Sequence, residues 1–155
     1  MFILSGIRRH RVAVLVMVGL VLAGIVGGVC HMRRQKDFRT FDGRTVCLLV
    51  YDEDSARQTA AFFDTAAQKA AVSCEEVRIP VRFNEVYDRY NALQEAFGSN
   101  LADYRGRVCQ KYSFALGRDS GQESRTLTLL VCDGHLIGGD CSDNAFDGEM
   151  CGLVS

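Results

Sequence analysis

Residues with chemical potential crowd the end of the chain, in "HLIGGDCSDNAFDGEMCGL", His135 to Leu153. Cys141 is of the nucleophile type and His135 of the base type. A thiol attacks an acyl carbon when a base within hydrogen-bond reach takes its proton, normally with a third group orienting that base. Such a pair would make a hydrolase. Asp140, Asp143, Asp147 and Glu149 offer the hard oxygen ligands that calcium takes, although their spacing does not reproduce the alternate-position ligands of the helix-flanked calcium loop. No nucleophile-elbow motif surrounds Cys141, and His135 is the sole histidine after His31.

Glycine placement explains the same stretch as architecture. Asp133-Gly134 and Asp147-Gly148 are turn pairs, because both central residues of a tight primed turn need φ > 0. Gly138-Gly139 lets a strand kink or bulge, after which Asp140 can accept local backbone amides. The stretch is expected to be a return strand followed by a turn-rich closing segment that brings Met150 and Leu153 onto the core. Catalysis by Cys141 with His135, or calcium held by Asp140, Asp143, Asp147 and Glu149, is the alternative.

Seven cysteines are many for 155 residues. Cys30 closes an apolar run. The other six are Cys47, Cys74, Cys109, Cys132, Cys141 and Cys151. No C-x-x-C occurs, so neither a redox motif nor a zinc knuckle is indicated. An even number suits disulfides outside the cytoplasm. Several sit inside apolar strand-like words such as "TVCLLV" and "LLVCDG", which suits small buried thiols. Mostly free thiols are expected, with room for one bridge near the C-terminus.

These residues need a framework, and the chain divides into two parts. Val12 to Val29 is eighteen residues without a charged or polar side chain. At about 1.5 Å per residue it nearly crosses a hydrocarbon core of about 30 Å, and flanking arginines can reach outward over the shortfall. The basic words "RRHR" and "HMRRQK" fence it. Residues 1–36 therefore read as an uncleaved membrane anchor with basic flanks. Charge at both ends leaves its orientation undecided. Six of the eighteen basic residues fall in this part, leaving twelve against nineteen acidic ones afterwards, a net of −7. An acidic domain repels phosphate backbones, so nucleic acid is excluded as a partner.

Residues 37–44 read as a polar linker, and 45–155 as the domain. Thr45 to Tyr51 has the apolar β-branched character of a buried strand. Asp52, Asp54 or Ser55 can cap a following helix whose Ala56, Ala60, Phe63, Ala67 and Ala70 recur at helical spacing. "SCEEVRI" reads as a strand ending before Pro80. Pro80 is expected at the first position of the next helix. Phe83, Val86, Tyr87, Tyr90, Leu93 and Phe97 form its apolar stripe, and Gly98 its stop. Alternation in "RVCQKYSFALG" and "RTLTLLVC", then Asp133-Gly134 and "HLIGG", predicts an antiparallel meander. The fold class is α+β: an N-terminal transmembrane helix, then a small antiparallel sheet packed by amphipathic helices.

Four words carry a resemblance: "EVRIPVRFNEVYDRYNALQ", "NLADYRGRVCQKYSF", "LLVCDGHLIGGD" and "FDGEMCGL". In this order they resemble a bacterial family known as domain of unknown function 4830, over residues 76–155. Members sit behind a signal peptide, lipobox or membrane segment, so the resemblance implies an extracytoplasmic domain. It supplies no activity, cofactor or catalytic residue. The expected protein is a single-pass membrane protein tethered through residues 12–29, its C-terminal domain outside the cytoplasm. It would be a non-catalytic binding or structural module of the cell envelope with no cofactor and an envelope protein or peptide as partner. An envelope hydrolase using Cys141 and His135, or a calcium-binding domain, is the alternative.

Overall fold

A computed structural model describes residues 37–117, 124–143 and 149–154, with Val18, Val21, 23–25 and 28–29 from the N-terminal part. Residues 1–37 and 38–155 form separate units. In the first, the described residues of the apolar run are helical and exposed. Among the described residues no helix is long and apolar enough to cross a membrane. Most of Val12 to Val29 lies outside the described residues.

The second unit begins with a hairpin where a linker was expected. β1 (Phe38–Phe41) and β2 (Arg44–Cys47) pair antiparallel around Asp42-Gly43. Both turn residues have positive φ, 46° and 75°, as a primed turn demands. The chain then continues past β2 to a second sheet: Leu48 O accepts the Leu136 amide and Val50 N donates to Gly134 O.

Helix α1 (Glu53–Phe63) starts at Asp52, whose side chain accepts the Ser55 amide while Ser55 Oγ accepts the Asp52 amide. This reciprocal cap satisfies two donors that a helix start leaves without partners. Asp64 ends α1 and caps a 3₁₀ turn, Thr65–Lys69. The single helix expected through Ala70 thus breaks at Asp64, although Ala56, Ala60 and Ala67 are fully buried as its period implied.

The main sheet is a five-stranded antiparallel meander of β3 (Ala71–Arg78), β4 (Val108–Leu116), β5 (Arg125–Cys132), β6 (His135–Asp143) and β7 (Met150–Gly152), adjacent in that order. Strand alternation gives it two unlike faces. Tyr112, Phe114, Leu127, Leu129 and Val131 face α1 and the β2 extension, joining Val46, Leu48 and Val50 in the main core. The opposite face carries Lys111, Ser113, Thr126 and Thr128, with Cys109, Leu130 and Cys132 at one end.

Helix α2 (Glu85–Ala96) departs from expectation. Its cap is Asn84, whose side chain accepts the Tyr87 amide, so Pro80 lies outside it. Its apolar stripe does not pack as one core face. Val86 is 72% exposed, and Phe83 and Tyr90 join the small cluster on the polar face around Ile79 and Leu101. Phe97, just beyond the helix, instead belongs to the main core, stacked on Phe41 with centroids 5.3 Å apart. The Arg39 guanidinium donates to the Phe97 carbonyl and lies over its ring. Thus α2 meets β6 and β7 through Leu93 and Gln94, while its first turns, with Val86, Tyr87 and Arg89, overhang the polar face.

Candidate functional site

The overhang leaves an open groove of about 820 Å³. That lies within the usual size of small-ligand pockets, about 300–1,000 Å³. Its floor is the polar sheet face: Lys111 and Ser113 from β4, Thr126 and Thr128 from β5, Asp140 and Ser142 from β6. Its roof and rim are mainly apolar, from Val86, Tyr87 and Leu93 of α2 and Met150 of β7, with Arg89 among them. Val77, Ile79 and Leu130 add hydrocarbon on the sheet side and Arg89 a charge on the helix side, so the lining suits a largely apolar ligand with a polar end.

Tyr90 reaches from α2 to the floor, where its hydroxyl donates to Asp140 Oδ1 at 2.9 Å. Asp140 is 5% exposed. Burial raises its pKa, against the pull of the Tyr90 hydrogen bond and the Lys111 charge. The Tyr90 phenol is also held up, by burial first and by the neighbouring Asp140 second. A phenol with a raised pKa stays a donor, which is what an acceptor carboxylate needs. Asp140 was expected to accept backbone amides; its partner is a side chain fifty residues away in sequence.

The floor depends on two glycines. Between Leu130 and Val131 the β5–β6 register shifts, so that Leu130 opposes Gly138 and Val131 opposes Leu136. Ile137 is the extra residue of this bulge. Gly138 has φ 153°, and a Cβ there would stand 2.2 Å from Gln94 Oε1. On Gly139 a Cβ would meet the Thr128 carbonyl oxygen at 2.0 Å. The double glycine therefore lets β5 and α2 approach β6 together. Gln94 is fully buried here, its Oε1 accepting the Gly139 amide at 2.8 Å.

The predicted hydrolase pair is not assembled. His135 and Cys141 lie on the same strand, six residues and therefore about 20 Å apart. His135 Nδ1 lies 3.2 Å from the Asp133 carbonyl oxygen. Cys141 is on the core side, opposite Cys151. Burial raises the Cys141 pKa, which works against a thiolate. Of the four acids, Asp140 is in the groove, the Asp143 amide donates to the Glu149 carbonyl, and Asp147 lies outside the described residues. Among the described residues no three His, Cys, Asp or Glu side chains converge as metal ligands. All six cysteines of the second unit are free.

Sequence reasoning singled out Asp140 but not its partners. The helical period places Tyr90 in the apolar stripe, and Gln94 falls outside it. Thr126 and Thr128, alternating with Leu127 and Leu129, were the legible signal of a polar sheet face. No family model, no curated protein and no solved structure matches this chain.

Proposed function

We propose that this chain is a membrane-tethered, extracytoplasmic binding module, without catalysis, whose groove takes a small amphipathic ligand from the cell envelope. The carrying observation is the 820 Å³ groove, mainly apolar with a strip of hydroxyls across its floor, and the hydrogen bond from half-buried Tyr90 to buried Asp140. No described cysteine or histidine lines it, which favours binding over thiol chemistry. The tether rests on the uncharged run Val12 to Val29, of which Val18, Val21, Ile25 and Val29 are 46–59% exposed. Exposed branched apolar residues on a helix suit a lipid surround. Placement outside the cytoplasm, and membership of the family of domain of unknown function 4830, rest on the words between Glu76 and Leu153.

The groove is tested with anilinonaphthalene sulfonate, an amphiphile that fluoresces in apolar surroundings. Residues 38–155 should bind it, and Thr128→Tyr, which fills the floor, should abolish the signal while circular dichroism stays native. Undiminished fluorescence with a native spectrum would remove the groove as the binding site. A reporter fused after Ser155 tests the tether: activity confined to the cytoplasm would overturn the topology.

A further inference from the structure

Cys141 and Cys151 stand directly opposite each other in the strand register, on β6 and β7. Directly opposed residues of antiparallel strands have Cα atoms about 4.5–5.5 Å apart and side chains on the same face. A disulfide spans Cα separations of about 4.4–6.8 Å. The Cys151 thiol already donates to the Cys141 carbonyl oxygen at 3.3 Å, so its sulfur leans toward the partner residue. Cys151 is exposed and Cys141 is half-buried against the main core.

We propose that Cys141 and Cys151 form a reversible cross-strand disulfide that latches β7 to β6. The oxidant is a small-molecule disulfide such as oxidised glutathione. The exposed Cys151 thiolate attacks one of its sulfurs, breaking the sulfur–sulfur bond and releasing one thiol. Cys141 then attacks the Cys151 sulfur of the mixed disulfide and releases the second. One protein disulfide is made, one oxidant disulfide becomes two thiols, and the two protein thiol protons end on the released thiols.

The bond would act where the fold is slight. β7 has only three residues. Met150, beside Cys151, lines the groove on the other face of the same strand. Gly152 lies so close to α2 that a Cβ on it would meet the Leu93 carbonyl oxygen at 3.0 Å. A strand held covalently between β6 and α2 fixes the rim at Met150; a reduced one is held by few hydrogen bonds. That consequence rests on the groove's being the binding site, whereas formation of the bond does not.

Cys109 and Cys132 provide an internal contrast. Both are 2% exposed, and burial followed by the neighbouring Cys132 pushes the Cys109 thiol up to about 12. An external oxidant should reach them only after unfolding.

The full chain in detergent micelles is equilibrated with mixtures of oxidised and reduced glutathione, alkylated in denaturant and digested with trypsin. No Lys or Arg follows Arg125, so Thr126 to Ser155 is released as one peptide holding Cys132, Cys141 and Cys151. The expected product is two hydrogens lighter and carries one alkyl group, on Cys132. Cleavage after Glu149 should leave its two halves joined. Amide exchange of Met150 to Gly152 should slow by tenfold or more, on the order expected for closing a short loop. Cys151→Ser should abolish both effects and keep the native spectrum. A glutathione adduct resting on Cys151, a bridge to Cys132, or unchanged exchange in the linked form would overturn the latch.

Discussion

Gln94 Oε1 accepts the amide of Gly139 at 2.8 Å, filling an interruption in the hydrogen-bonded side of β6. Toward its start, this side of β6 pairs with Leu48 to Val50; toward its end it pairs with Cys141's neighbours on β7. Neither segment reaches Gly139, and a glutamine from α2 completes the run. Gln94→Leu keeps most of the volume and removes the acceptor. Leaving a buried amide without a partner should cost about 1–3 kcal/mol, read as a lowered urea midpoint with an unchanged slope.

Gly139→Ala should be worse than Gln94→Leu. Its new methyl would press on the Thr128 carbonyl oxygen, which belongs to the central strand and cannot turn aside. A loss of about 3 kcal/mol or more is expected, the upper end of overpacking effects. Calorimetry of residues 38–155 gives the comparison, and equal melting temperatures for the two variants would refute the close approach of β5 and β6.

Asp140 predicts an unusual pH dependence. Its folded pKa is raised above the ordinary 3.8, so the folded state holds the proton more tightly than the unfolded chain. The stability this contributes is present in full below pH 3.8 and is lost as pH rises through the folded pKa. Asp140→Asn keeps an acceptor for the Tyr90 hydroxyl and removes the titration. The variant should gain on the native protein as pH climbs from below 3.8. Parallel stability–pH curves would show that Asp140 is as well solvated folded as unfolded.

Phe97→Ala should cost about 3–5 kcal/mol, the usual loss for a buried phenylalanine. Phe97 is 1% exposed within the Phe41–Phe63 aromatic group. Phe83→Ala should cost markedly less, because that ring is half-buried and covered on one side by the Arg105 guanidinium. Denaturation of the two variants side by side separates the helix ends; equal losses would contradict the division of α2 between two faces.

Ala60→Leu should lose about 1–3 kcal/mol by overpacking. Ala56 and Ala60 are fully buried where α1 lies on the sheet, and a larger side chain has to lift the helix. A gain in stability would mean that space remains beneath α1.

The meander and the α1 face were legible because both rest on local periodicity and turn chemistry. Asp133-Gly134 was read as a hairpin from the apolar runs beside it. Asp42-Gly43 is the same chemistry, with φ positive at both residues, yet the short, partly charged "DFRTF" before it suggested a linker, although Thr45 to Tyr51 after it read as a strand. The stripe on α2 was legible as a period but not as a destination. Tyr87 and Tyr90 look alike in sequence; only the path of the helix over the polar face gives Tyr90 a carboxylate fifty residues away. The bulge was foreshadowed by Gly138-Gly139, whereas Gln94, which needs those glycines, had no local signal.

The order of strands also bears on how copies of this molecule meet. A terminal strand presents unpaired amides and carbonyls on which another chain can grow. At one end of the sheet stands β7, three residues long and too brief to template much. At the other end stands β3, eight residues long and the natural place for edge-to-edge growth. Glu75, Glu76 and Arg78 are exposed along it, and Glu75 is tied to Lys111 of the neighbouring strand at 2.6 Å. Any strand arriving there must settle among fixed charges, so β3 is guarded against self-association by charge and β7 by brevity.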